Sequence, residues 1–102
     1  MGRRRKEDRL RDVWQWLLDE FPVRRPATLR VKPLDKEHQG YVLDGPEGIE
    51  VCIDARSPLW AQTETLIHEW AHVRARRTKH GPAFLKVQYE IEERFWRWRK
   101  SC

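Results

Sequence analysis

The chain has no apolar run long enough to cross a membrane, no internal repeat and no low-complexity tract. A spanning helix needs about 20 consecutive apolar residues, so an integral membrane protein is excluded from the reading. The arginine-rich start has no apolar stretch behind it, and no secretory signal is expected. Cysteine is scarce: Cys52 and Cys102 are the two present, with no CxxC spacing and nothing to favour their pairing. Reduced thiols and an intracellular, cytoplasmic chain follow as the expectation.

What is present fits one small domain over residues 1–102, with residues 1–6 as a flexible basic arm. Apolar residues make up 39% of the sequence and include six Trp, enough for a small core. Charged residues make up 36%, with a formal net charge of +5. That excess is compatible with a polyanionic partner without requiring one.

The periodicities predict an α+β fold. Leu10, Val13, Trp14, Leu17, Leu18 and Phe21 recur at helical spacing, which predicts a helix over 7–20 that Pro22 ends; Trp16 lies off this stripe, on a side expected to be partly exposed. Ala27, Leu29 and Val31 alternate with Thr28, Arg30 and Lys32 as a half-buried strand. A turn with a surface histidine, His38, leads to a second strand at Tyr41–Leu43, and the Asp44-Gly45-Pro46-Glu47-Gly48 turn leads to a third at 49–54. The expected sheet is a three-stranded antiparallel meander. Two helices follow, one over 58–78 with Ser57 as N-cap and Pro58 at its first position, and one opened by Pro82 that covers it from behind.

The chemistry concentrates in Thr65-Leu66-Ile67-His68-Glu69-Trp70-Ala71-His72. Two histidines four residues apart share one helix face, one turn apart, where both imidazoles can reach one metal ion. Glu69 stands beside them, placed to act on a bound water. Three fixed letters in five occur by chance in roughly a few of every thousand chains of this length, so the pattern needs support. Leu66, Ile67, Trp70 and Ala71 supply it by giving the segment a packed face, and His80 supplies a third imidazole just before Gly81-Pro82. A catalytic zinc site takes three protein ligands and keeps one position open.

Leu66-Ile67-His68-Glu69-Trp70-Ala71-His72 followed by His80-Gly81-Pro82-Ala83-Phe84 resembles the SprT-like metallopeptidases, which include the Spartan proteases. The resemblance covers about 55–84; beyond it only the order and type of elements agree. It implies a zincin-like fold, one Zn2+ held by His68, His72 and His80, Glu69 as the catalytic base and acid, and a protein or peptide substrate. The link from His72 to His80 is shorter than is usual in that family, and Ala83 stands where the family often has Glu. The resemblance also implies a strand that pairs with the substrate backbone, here Ile49, Val51 and Ile53 or the neighbouring strand.

Two alternatives stay open on the residues alone. A thermolysin-like site takes its third ligand from a following helix, where Glu90, Glu92 and Glu93 are available. A zinc module that binds DNA without catalysis would use Arg3, Arg4, Arg5, Arg74, Arg76, Arg77 and Lys79, although the last four also suit a helix C-terminus. DNA is accordingly a second expected partner, through these basic residues, and the chain is expected to be a monomer. Asp54 and Glu64 are candidates to orient the imidazoles, and Tyr41 and Tyr89 to steady an oxyanion.

Overall fold

Six elements form in the order helix, three strands, two helices: α1 Lys6–Glu20, β1 Ala27–Lys32, β2 Gly40–Gly45, β3 Gly48–Asp54, α2 Leu59–Ala75 and α3 Pro82–Ser101. The computed structural model describes residues 5–75 and 81–101. The fold is α+β, as the periodicities indicate. Lys6 opens α1, and its ammonium donates to the carbonyls of Ala55 (3.0 Å) and Ser57 (2.9 Å), tying α1 to the approach of α2.

The sheet departs from the expected meander. Its order is β1-β3-β2, with β1 parallel and β2 antiparallel to β3. Ala27 pairs with Ile49 on one side of β3, and Tyr41 with Cys52 on the other. Burial is the physical reason. Val51, Cys52 and Ile53 are all fully buried, so β3 needs cover on both faces and partners on both edges. The parallel pairing is open to β1 because the whole of β2 lies between it and β3 in sequence, ample length for a crossover. The third strand is therefore the centre of the sheet. Ile49, Val51 and Ile53 are core residues, and β2 is the edge beside α2.

Glycine is required at two points of this arrangement. Gly48 closes the β2–β3 turn at φ +144°, and a Cβ there would lie 2.6 Å from the Pro26 carbonyl oxygen. A Cβ at Gly40 would lie 2.7 Å from the Thr65 methyl, so the missing side chain lets β2 come down against α2.

α1 and α2 pack against the sheet, and α3 packs on α2. Trp70 is fully buried; its indole meets Trp14 edge-on at 5.2 Å, and its Nε1–H donates to the Phe21 carbonyl at 3.0 Å. That bond takes up a carbonyl at the end of α1 and locks it against α2. Trp16 is buried rather than exposed: α3 brings Phe95 to 5.7 Å and stacks Trp98 on it at 5.4 Å. From α1 alone this contact is invisible. On α3, Phe84, Ile91 and Phe95 are buried, whereas Leu85 is exposed.

Asp54 ends β3 as a junction. Its Oδ1 accepts from the backbone N–H of Arg56 (3.1 Å) and Leu34 (3.3 Å) and from the Arg56 side chain (3.3 Å). Its carbonyl accepts from the buried Gln62 amide of α2 at 2.9 Å. The helix begins at Leu59, and Pro58 gives the carbonyl for its first turn through Gln62 N–H. Asp54 is thus engaged in folding the β3–α2 corner and is not a partner of the histidines. Cys52 carries no disulfide among the described residues.

Two predictions follow from these anchors. Trp70→Phe strands the Phe21 carbonyl and leaves a void, and should cost about 2–4 kcal/mol in a denaturant melt. The Asp54 carboxyl is held below its ordinary value of 3.8, chiefly by the Arg56 N–H, against the opposing effect of burial, with Leu34 N–H and the Arg56 guanidinium adding to the lowering. A depressed folded value contributes stability above the unfolded value and loses it as pH falls through the folded one. Asp54→Asn should lower the melting temperature at neutral pH, and the gap to wild type should close below about pH 4.

Candidate metal centre

α2 is buried on the side carrying Leu66, Ile67, Trp70 and Ala71, which turns His68 and His72 to its half-buried opposite side. The rows at every fourth residue then place Trp60, Glu64, His68 and His72 in one line along the helix. The His68 and His72 rings meet edge-on at 4.8 Å, and their Nε2 atoms lie 3.3 Å apart.

That separation tests whether a metal fits. Zinc–nitrogen bonds of about 2.0–2.1 Å at a tetrahedral angle put two ligand nitrogens about 3.3–3.4 Å apart. The pair therefore has the spacing of two ligands of one ion. Phe84, in the first turn of α3, stacks on His72 at 4.3 Å and meets His68 edge-on at 5.1 Å, so the start of α3 fixes both rings.

The third donor is the point at which the described residues stop. His80, and with it Arg76, Arg77 and Lys79, lies outside them, as do Arg3 and Arg4. Among the described residues, no third His, Cys, Asp or Glu joins His68 and His72 in a group able to hold a metal. Glu90, Glu92 and Glu93 are described. Glu92 accepts from Gln88 at 2.8 Å, Glu93 accepts from Arg97 at 2.7 Å, and Glu90 is exposed. Glu92 stands eight residues beyond Phe84, about 12 Å along the helix, whereas Gly81 is about 4.5 Å from it.

Glu69 is half-buried, and burial pushes its carboxyl up to about 7, near the value that suits a base and acid at neutral pH. It lines, with His68, a cleft of about 430 Å³ walled by Gln39 and Gly40 of the β2 approach, Trp60, Glu64 and Thr65 of α2, and Gln88 of α3. Glu37, Glu64 and Glu69 face this space, and among the described residues no Lys or Arg lines it, although the chain as a whole is basic. A second cavity of about 490 Å³ touches His72 and is bounded by Val42, Asp44, Val73 and the Val23-Arg24-Arg25 segment. Arg25 bonds the Asp44 carboxylate and the Gly45 carbonyl there, tethering this segment to β2.

The strand predicted to meet substrate is not on this cleft; Ile49, Val51 and Ile53 belong to central β3, and only Ile49 reaches the cavity beside His72. The neighbouring strand β2 is the edge that borders both cavities. Tyr41 and Tyr89 do not line the cleft, and Tyr89 is turned to solvent. Several wall residues were not expected from sequence, His38 and Gln88 among them. His38 lies on the cleft rim, its Nδ1 2.7 Å from Asp35, which raises the imidazole's pKa through that hydrogen bond and then through the carboxylate's charge. Gln88 reaches the cleft from α3. Neither carried a local signal, since each is an ordinary polar residue in a turn or on a helix until the chain folds.

Of the cationic candidates, Arg5 is exposed, and Arg74 donates to the Pro22 carbonyl while its guanidinium lies 5.7 Å over Phe21, a contact that joins the end of α2 to α1. No described helix is long and apolar enough to cross a membrane.

No protein-family model and no curated protein sequence matches the chain. Among solved structures it is similar to the crystal structure of the metallopeptidase zymogen of Pyrococcus abyssi abylysin, with a TM-score of 0.60 and 23% identity over 84% of this chain and 90% of that one. At that identity the likeness establishes the fold: this chain has the α+β architecture of a small metallopeptidase.

Proposed function

We propose that the protein is a zinc-dependent endopeptidase that hydrolyses polypeptide at the cleft lined by His68 and Glu69, with His72 one helical turn on. The observation that carries this is the 3.3 Å approach of the two Nε2 atoms on a helix whose intervening glutamate lines a cleft together with His68. The fold shared with a metallopeptidase zymogen supports it, and so does the sequence resemblance to the SprT-like family.

The ligand set proposed is His68, His72 and His80, each as neutral imidazole around one Zn2+. His80 is favoured over the α3 glutamates because α3 enters beside the pair, with Phe84 against both rings, and because Glu92 and Glu93 are engaged elsewhere. When bound, such an ion polarises a carbonyl and lowers the pKa of water toward about 7. The chain's own residues do the rest. Glu69 accepts the proton of the attacking water as the C–O bond forms, then delivers it to the amine nitrogen as the C–N bond breaks. β2 is an edge strand, and its outward backbone N–H and C=O groups are those with which an extended substrate can pair, holding its scissile bond over the histidines.

Action on DNA-associated proteins is a narrower form of this reading, resting on the Spartan resemblance and the basic residues. No described contact favours it over the general one, and the carboxylates among the described lining residues of the cleft suit polypeptide better than phosphate.

Glu69→Gln should retain one zinc per chain by elemental analysis and lose about 10²–10⁴-fold in turnover of an unfolded protein substrate; normal turnover in that variant would remove Glu69 from the mechanism. His80→Ala should lose both zinc and activity. Zinc kept in His80→Ala but lost in Glu92→Ala would instead assign the third position to α3.

A further inference from the structure

Behind the cleft, between α2 and α3, runs an open groove of about 640 Å³ lined mainly by apolar surface. Leu59, Trp60 and Ile67 of α2 face Phe95 and Trp96 of α3 across it. Two indoles in it are turned to water, Trp60 at 71% and Trp96 at 56% exposure. A Trp surface left this open in a chain of this size marks contact with something else.

The neighbouring cleft indicates what that is. Trp60 and Glu64 line both the groove and the space around His68 and Glu69, so the two cavities adjoin along this edge of α2. Charge narrows the occupant. Glu37 and Glu64 border the path and Glu92 lies in the groove, with Arg99 as the cation among its described lining residues. Carboxylates along the route repel a phosphate backbone and tolerate a polypeptide. Spacing sets the register. Trp60 precedes His68 by eight residues, about 12 Å along α2. An extended peptide covers that in about four residues.

We propose that this groove is an exosite for the substrate polypeptide, taking a bulky apolar side chain about four residues from the scissile bond. The inference rests on the peptidase reading for its occupant but on the groove's own geometry for its location. It makes the preferred substrate an unfolded segment with an aromatic or large aliphatic residue at that distance, since in a folded protein such side chains are buried.

The test uses two pairs of fluorogenic peptides with the same cleavable core, each pair carrying Phe or Ser four residues from the scissile bond, one pair on each side of it. Wild-type protein should favour one Phe version over its Ser counterpart by about tenfold in kcat/KM, through KM, and Trp96→Ala should bring the ratio to about one. Trp96 is exposed, so unchanged melting of that variant checks the fold. Anisotropy of the same labelled peptides on the zinc-loaded Glu69→Gln protein reads binding without turnover. A Trp96-dependent preference there, with no cleavage by wild type, would keep the exosite and sink the peptidase reading. Cleavage of both peptides with equal kcat/KM on both sides would sink the exosite and leave the peptidase reading intact. A dimer in solution that Trp96→Ala converts to monomer would reassign the groove to a second copy of the chain and overturn the proposal.

Discussion

Two imidazoles can serve one cation only if the helix bearing them holds still to within a fraction of an ångström, and the rest of the molecule is arranged to hold α2 in that way. Trp70, two residues from His68 and His72 alike, is buried to zero exposure and bonded through its indole to the end of α1. Asp54 holds the start of the same helix through Gln62. Phe84 of α3 closes on the two rings from the other side. The histidines are partly open to the cleft, but the backbone that carries them is packed from three directions. Polar groups that must keep a fixed geometry and yet meet solvent need that asymmetry.

The sheet serves the same end. By taking the centre, β3 commits its whole length to the core and leaves β2 as the edge toward α2. Gly40 permits a separation between strand and helix that any side chain would widen. The consequence is a trough with hydrogen-bonding backbone on one wall and a row of α2 side chains on the other. A meander in sequence order would have put β2 in the middle, paired on both sides, and removed the free edge from the site.

Charge is distributed against the average. In a chain with an excess of Lys and Arg, Glu37, Glu64 and Glu69 line the cleft, and no Lys or Arg does so among the described residues. Several cations act locally instead: Arg25 bonds to β2, Arg74 and Arg94 lie over Phe21, and Arg97 pairs with Glu93 within α3. Exposed pairs of the last kind contribute little to stability. Those at Phe21 cover an aromatic face that would otherwise meet water at the end of α1.

Much of this was legible in the order of residues because it is local. The period of 3.6 marks the helices and the period of 2 marks the strands; the four-residue step from His68 to His72 brings the rings together whatever surrounds them, and Glu69 comes with them. What tertiary structure alone decided is non-local. Trp16 reads as partly exposed on α1 and is buried because α3 returns across it; Ile49, Val51 and Ile53 read as an edge and are the centre because burial on both faces requires partners on both sides. His38 and Gln88 carry no signal of their own and reach the cleft only through the packing of a turn and a third helix. A periodic pattern states which face of an element avoids water, but which other element covers that face is settled only when all of them compete for the same core.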